Sequence, residues 1–351
     1  MKAAVVEEIA KPLVVHSNWP DPDCGPNDAV VEVQANGICL SDHHVWQGGW
    51  PWIGIATQTP TVLGHEFCGI VEEVGANVTR FKRGDRVAIP FNHSCGSCEQ
   101  CQAGHQNVCL DLRIPMLHYT GGFGRYAKVT HAEINLVHLP PSISYLEAGA
   151  MGCRFMTSWH GIVDQAKVSA GEWVAVFGCG GVGLAAVNVA TALGANVLAV
   201  SRTPAKLDMA KQLGAVAIVD AADSDAVEQI IQMTNGGADV SVDALGDAPT
   251  ALPAIQCLRT RGRHLRLGVS SKQQGGTIPL PVDLFVFKEL QFIGSLGMQA
   301  ARFPAMLRMV ESGKLQPGKL ITGTVNIEDA GATLARMGEF STIGMTVITK
   351  W

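Results

Sequence analysis

The chain has 351 residues, longer than single hydrophobic cores usually grow, so two lobes are expected. A hydrophobic share of 47% against 16% charged residues fits an enzyme-like globular protein with a large buried core. The net charge of -5 supplies no attraction to nucleic acid or to an anionic membrane, which leaves small molecules as the expected partners.

The opening MKAAVVEEIAKP reaches Glu7 and Glu8 before an apolar signal region could form, which argues for a cytoplasmic location. Up to about residue 150, short runs such as AAVVEE, AVVEVQANGI, GIVEEVG and DRVAIP alternate with Gly, Pro, Asn and Asp, the pattern of a β-rich lobe. Within it, GICLSDHH offers Cys39, LGHEFCG offers His65, and MGCRFMT at its end offers Cys153. A lone buried cysteine is usually a small hydrophobe and a lone histidine a satisfied polar group, so none of the three speaks alone.

The stretch CGSCEQCQAGHQNVC is different, because Cys95, Cys98, Cys101 and Cys109 fall within one short loop. A reducing compartment disfavours disulfides, and a ferredoxin-type cluster would bring its fourth cysteine sooner and follow it with proline, where Leu110 stands here. Four thiolates complete the tetrahedral shell of a structural zinc ion, with a cluster or free thiols as the alternatives. A closed shell leaves no place for substrate, so this loop is a clamp and the chemistry lies elsewhere.

From about residue 170, apolar strands alternate with helical patterns (WVAVFG, VGLAAVNVATALG, NVLAVS, AKLDMAKQLG, AVAIVD), which predicts βαβ units and a parallel sheet. Trp173 to Val200 carries no charge and is long enough to span a bilayer, but GCGGVG, Asn188 and Asn196 interrupt it, so it reads as sheet core. Gly178, Gly180 and Gly183 form a G-x-G-x-x-G pattern after a predicted strand and before a helix, with Gly181 and Val182 between, the context in which the motif holds a dinucleotide pyrophosphate. After Phe292 mixed helix and strand return.

The CLSDHH segment, GHEFCGIVEEVG, the four-cysteine loop and GCGGVG, in that order, resemble the zinc-dependent medium-chain alcohol dehydrogenases over essentially the whole chain. The resemblance implies an α/β fold: a doubly wound Rossmann domain at 154–295 beside a β-rich, GroES-like catalytic domain formed by 1–153 and 296–351. It also implies two zinc ions per chain, with Cys39, His65 and Cys153 holding a catalytic one whose fourth position is open to an alcohol. Such an ion acts as a Lewis acid on the alcohol oxygen. By the same resemblance Asp42 orients His65, Glu66 lies behind the metal, Ser41 takes the alcohol proton and His44 passes it on, while His43 has no counterpart and is expected at the surface. Thr157, Leu267 and Val269 fall near the nicotinamide, and Lys206 reaches the adenosine ribose. Trp46, Trp50 and Trp52 line the substrate cleft or else belong to the core or to a lid. A homo-oligomer, tetramer or dimer, is implied too.

The chain departs from the family pattern at Arg154, where a small residue is usual, and at Met345, where many members carry an arginine. NAD-binding strands place a carboxylate about 20 residues beyond the glycines, but here Ser201 and Arg202 stand there, which points to NADP, with NAD as the alternative. The expected activity interconverts a primary or secondary alcohol with its aldehyde or ketone. The rivals are a polyol or sugar dehydrogenase of the same superfamily, which generally lacks a cysteine at position 153, and a non-catalytic nucleotide-binding relative.

Overall fold

Apart from Glu32 and Gln34 every residue of the strand Ala29–Ile38 is buried, and in the computed structural model, which describes residues 1–222, 225–270, 275–339 and 341–351, that strand is the axis of the first lobe. It pairs antiparallel with Phe67–Val74, Tyr126–Val129 and Met345–Lys350. Arg86–Ala88 and Val137–His138 extend the sheet on one side and Ile321–Asn326 on the other, giving seven strands among the described residues. Phe67, Val71, Val31, Val33, Val87 and Ile89 pack on one another as its core.

The second lobe is a parallel sheet. Its six described strands run in the spatial order Ala217–Asp220, Asn196–Ser201, Trp173–Phe177, Ala238–Asp243, Leu258–Arg266 and Gln291–Gly294. The first strand of the lobe is therefore central, and the order reverses beside it, the arrangement in which doubly wound folds bind dinucleotides. The apolar segment from Trp173 to Val200 forms strand, helix Gly181–Ala192 and strand, with Val174, Ala175, Val176, Val197, Leu198 and Ala199 all fully buried. No helix among the described residues is long and apolar enough to cross a membrane.

The chain divides into one compact unit of Met1–Met156, Gly297–Gly313 and Pro317–Trp351 and a second of Thr157–Leu296 with Lys314–Gln316. The change of unit at Met156 falls inside a continuous helical run, with π-type turns at Met151–Phe155 and His160–Gln165, that carries the chain past Cys153. Lys314–Gln316 joins the second unit, where the Gln316 N–H donates to the Asn188 side chain at 2.9 Å.

Candidate active site

Cys39 ends the longest strand of the first unit and caps the helix Leu40–Trp46. Asp42, in that helix's first turn, accepts from the Cys39 N–H at 2.8 Å with one carboxylate oxygen. Its other oxygen takes the Gly64 N–H at 3.1 Å and His65 Nδ1 at 2.9 Å. One buried carboxylate thus ties two ligand segments together and holds the His65 proton on Nδ1. His65 Nε2 is left buried with no hydrogen-bond partner, a costly state for a neutral imidazole unless a metal takes its lone pair.

Cys153 arrives on the first π-type turn, and one ligand atom each from Cys39, His65 and Cys153 lies within 4.8 Å of the others, all three side chains buried. Cys153 donating to Cys39 holds the Cys39 thiol well below its usual range, against the effect of burial. Two sulfurs and a bare imidazole nitrogen are the donor set of a zinc site with one position left over. Phe91 meets the His65 ring edge-on, centroids 5.8 Å apart, and forms an apolar wall beside it.

Glu66 is fully buried, and its carboxylate accepts from the N–H groups of Cys153 and Arg154 at 3.3 and 3.1 Å and from the Arg154 guanidinium at 2.9 and 2.5 Å. Burial pushes this carboxyl up to about 7, with Arg154 pulling the other way. All four neighbours are donors, so a carboxyl proton would find no acceptor, and the anion is the form that the geometry accommodates. On the helix that follows Cys39, Ser41 and His44 are half-buried, and the His44 ring lies 5.4 Å from that of Trp50.

The four-cysteine loop gathers as well. The ligand sulfurs of Cys95, Cys98, Cys101 and Cys109 lie within 4.8 Å of one another, with Cys109 3.5 Å from Cys95 and 3.8 Å from Cys98. Thiolates at about 2.3 Å from a tetrahedral zinc stand about 3.8 Å apart, so the spacing fits the ion. The N–H groups of Cys98, Cys95 and Asp111 donate to sulfurs at 3.3 to 3.4 Å, and the Ser97 N–H, then its hydroxyl, lower the Cys95 thiol to about 6.

In the second unit the strand Trp173–Phe177 ends at Gly178, whose φ of +92° suits glycine. A Cβ at Gly183 would fall 1.7 Å from the Gly178 carbonyl oxygen, whereas one at Gly180 would meet nothing within 4 Å. The tight turn and close packing are thus enforced while the mouth stays open. The helix from Gly181 starts there with no side-chain cap, so the first N–H groups, including those of Val182 and Gly183, are free for an anion. Ser201 ends the neighbouring strand, its hydroxyl accepting the Thr203 N–H at 3.3 Å, followed by exposed Arg202 and by Lys206, whose pKa burial lowers. Thr157 is buried in the helical run, and Leu267 packs where a Cβ at Gly161 would stand. Leu267 and Val269 lie just past the strand Leu258–Arg266 rather than in it, and the N–H groups of Leu267 and Gly268 both turn to the Asp243 carbonyl.

The family profile described as "Alcohol dehydrogenase GroES-like domain" matches residues 25–141, and that described as "Zinc-binding dehydrogenase" matches residues 181–312. An alcohol dehydrogenase of Geobacillus stearothermophilus is 34% identical over 331 residues, 94% of each chain. The chain belongs to the zinc-dependent medium-chain alcohol dehydrogenases. This dehydrogenase is also 36% identical to a probable D-xylulose reductase A of Emericella nidulans over 313 residues, 87% of this chain and 84% of the other. The crystal structure of a putative zinc-binding dehydrogenase from Sinorhizobium meliloti, bound to NADP, superposes with a TM-score of 0.87 at 29% identity, covering 99% of this chain and 98% of that one. Membership makes the protein an oxidoreductase that uses zinc and a nicotinamide cofactor on small molecules.

One expectation changes in this dehydrogenase, and the alternatives left open for the tryptophans narrow. His43 is half-buried rather than at the surface: its ring packs edge-on to Trp46 and stands where a Cβ at Gly338 would be. Trp50 is core, packed with Val45, Val62 and Leu63, and Trp46 and Trp52 lie against the same cluster. Phe91 and the Arg154–Glu66 pair went unread, since nothing in their own segments announces a partner far along the chain.

Proposed function

We propose that this dehydrogenase interconverts a primary or secondary alcohol with its aldehyde or ketone using NADP, with the catalytic zinc held by Cys39, His65 and Cys153. The observation that carries the reading is the contrast between three buried donors at one cluster and four thiols at the other, an open shell beside a closed one. Zinc at the open cluster supplies Lewis acidity toward the alcohol oxygen, and the nicotinamide supplies the hydride acceptor. Asp42 keeps the His65 proton on Nδ1 and presents Nε2 to the ion. The Ser41 hydroxyl receives the alcohol proton and His44 carries it onward, roles that rest on the family resemblance and on their place one turn past Cys39. Phe91 keeps water from one side of His65.

At the cofactor end, the free N–H groups at Gly181, Val182 and Gly183 receive the pyrophosphate, Gly178 and Gly180 admit it, and Thr157, Leu267 and Val269 face the nicotinamide. Ser201, Arg202 and Lys206 present a hydroxyl and two cations where NAD-specific strands present a carboxylate. The NADP in the Sinorhizobium meliloti structure is in line with this. A polyol substrate is the second reading, favoured by the likeness to the D-xylulose reductase and opposed by the thiol of Cys153.

Initial rates with both cofactors across primary, secondary, aromatic and polyol substrates test the proposal. Wild type should show the higher kcat/KM with NADPH. A hydrogen bond to a charged group contributes about 1.5 to 3 kcal/mol, so Ser201→Asp should lower kcat/KM for NADPH by roughly ten- to 150-fold and reverse the preference. A wild type that prefers NADH overturns the assignment of Ser201 and Arg202.

A further inference from the structure

Arg154 follows one zinc ligand, Cys153, and its guanidinium is buried against Glu66, which follows another, His65. The third ligand segment reaches the same pair. Gly37, two residues before Cys39, donates its N–H to the Glu66 carbonyl at 2.8 Å, and a Cβ there would lie 2.7 Å from Glu66 Oε2 and 2.8 Å from Arg154 Nη2. Only glycine leaves room for the ion pair at that point. The Glu66 carboxylate has all its acceptor directions in use, two toward the peptide of Cys153 and Arg154 and two toward the guanidinium. Three segments that share no local sequence are thereby joined at one buried pair.

The charges point the same way. Two thiolates, the buried Asp42 and Glu66 carboxylates and the Arg154 guanidinium sum to three negative charges, of which a divalent cation cancels two. Without the guanidinium the buried set would carry one further uncompensated anion, a costly state in the interior.

We propose that Arg154 is a positioning residue for the catalytic zinc: through Glu66 it locks the Cys153 peptide against the His65 segment, and its charge offsets one of the two buried carboxylates beside the ion. This rests on Cys39, His65 and Cys153 being the catalytic zinc site.

The test follows zinc release from the purified protein into a metallochromic chelator, with thermal unfolding recorded in parallel. Wild type should release two zinc ions in two phases, and Cys39→Ser, which should remove one phase, assigns the catalytic ion. Arg154→Met should speed that phase by roughly ten- to 100-fold, the usual scale when the groups that hold a ligand in place are disturbed, and leave the four-cysteine phase unchanged. Arg154→Lys, which keeps the charge without the two-pronged contact, should fall between. Glu66→Gln/Arg154→Met, a neutral pair of similar volume, should fold even if Arg154→Met does not, and should release the catalytic zinc more slowly than Arg154→Met or, failing that variant, no faster than Arg154→Lys. Equal acceleration of both phases, or a catalytic phase unchanged in every Arg154 variant, overturns the proposal. A single zinc per chain, with a release that Cys39→Ser leaves unaltered, overturns the zinc-site reading itself.

Discussion

Asp42 has no exposure to solvent and three donors converging on it: the Cys39 and Gly64 N–H groups and His65 Nδ1. An amide there keeps one acceptor oxygen but turns an NH2 toward one of those donors. Asp42→Asn should therefore let the imidazole rotate and release its tautomer, lowering zinc affinity at the catalytic site or kcat by about 10- to 100-fold. Zinc per chain after dialysis and kcat at saturating substrate measure it, and unchanged values for both would mean that the backbone alone orients His65. Asp42 was named in the sequence through the family resemblance, which falls on it because it sits three residues from Cys39. Phe91 was not. Its contact with His65 exists because the strand Arg86–Ala88 pairs with Phe67–Val74, which brings the loops at their ends together, and no pattern within DRVAIPF encodes that pairing.

Among elements, the four-cysteine loop has the least regular structure to hold it. Between Cys95 and Cys109 lie only a four-residue helix, Glu99–Gln102, and a 3-10 turn, Gln106–Val108. Such a loop cannot fix itself by backbone bonding, so the ion's contribution is to folding rather than to turnover. Cys98→Ser should lower the thermal midpoint by roughly 5 to 10 °C and remove one zinc, while the protein that stays folded keeps its kcat. Scanning calorimetry and metal analysis check it, and loss of both zinc ions together would contradict it. The strands of the second unit were legible at this scale because buried parallel strands read as unbroken apolar runs. The π-type turns at Met151–Phe155 and His160–Gln165 were not, since one extra residue per turn leaves no mark in an apolar pattern.

At the scale of the whole molecule, every proposed metal ligand lies in the first compact unit, and the glycine turn with Ser201, Arg202 and Lys206 lies in the second. Chelating the catalytic zinc should abolish turnover yet leave NADPH affinity within about threefold, a difference of under 1 kcal/mol, as read by quenching of protein fluorescence. A parallel loss of binding would show that the cofactor depends on the metal centre. The classes of donor, the gathering of four thiols in one loop and the strand–glycine–helix order were legible locally, because each is written in residues close along the chain whose spacing the backbone converts directly into geometry. Tertiary structure decided that Cys39, His65 and Cys153 meet, that Trp50 is core, and that Arg154 rests on Glu66. Those contacts join segments far apart in the chain, and the packing that brings such segments together is a property of the assembled core rather than of any local run of residues.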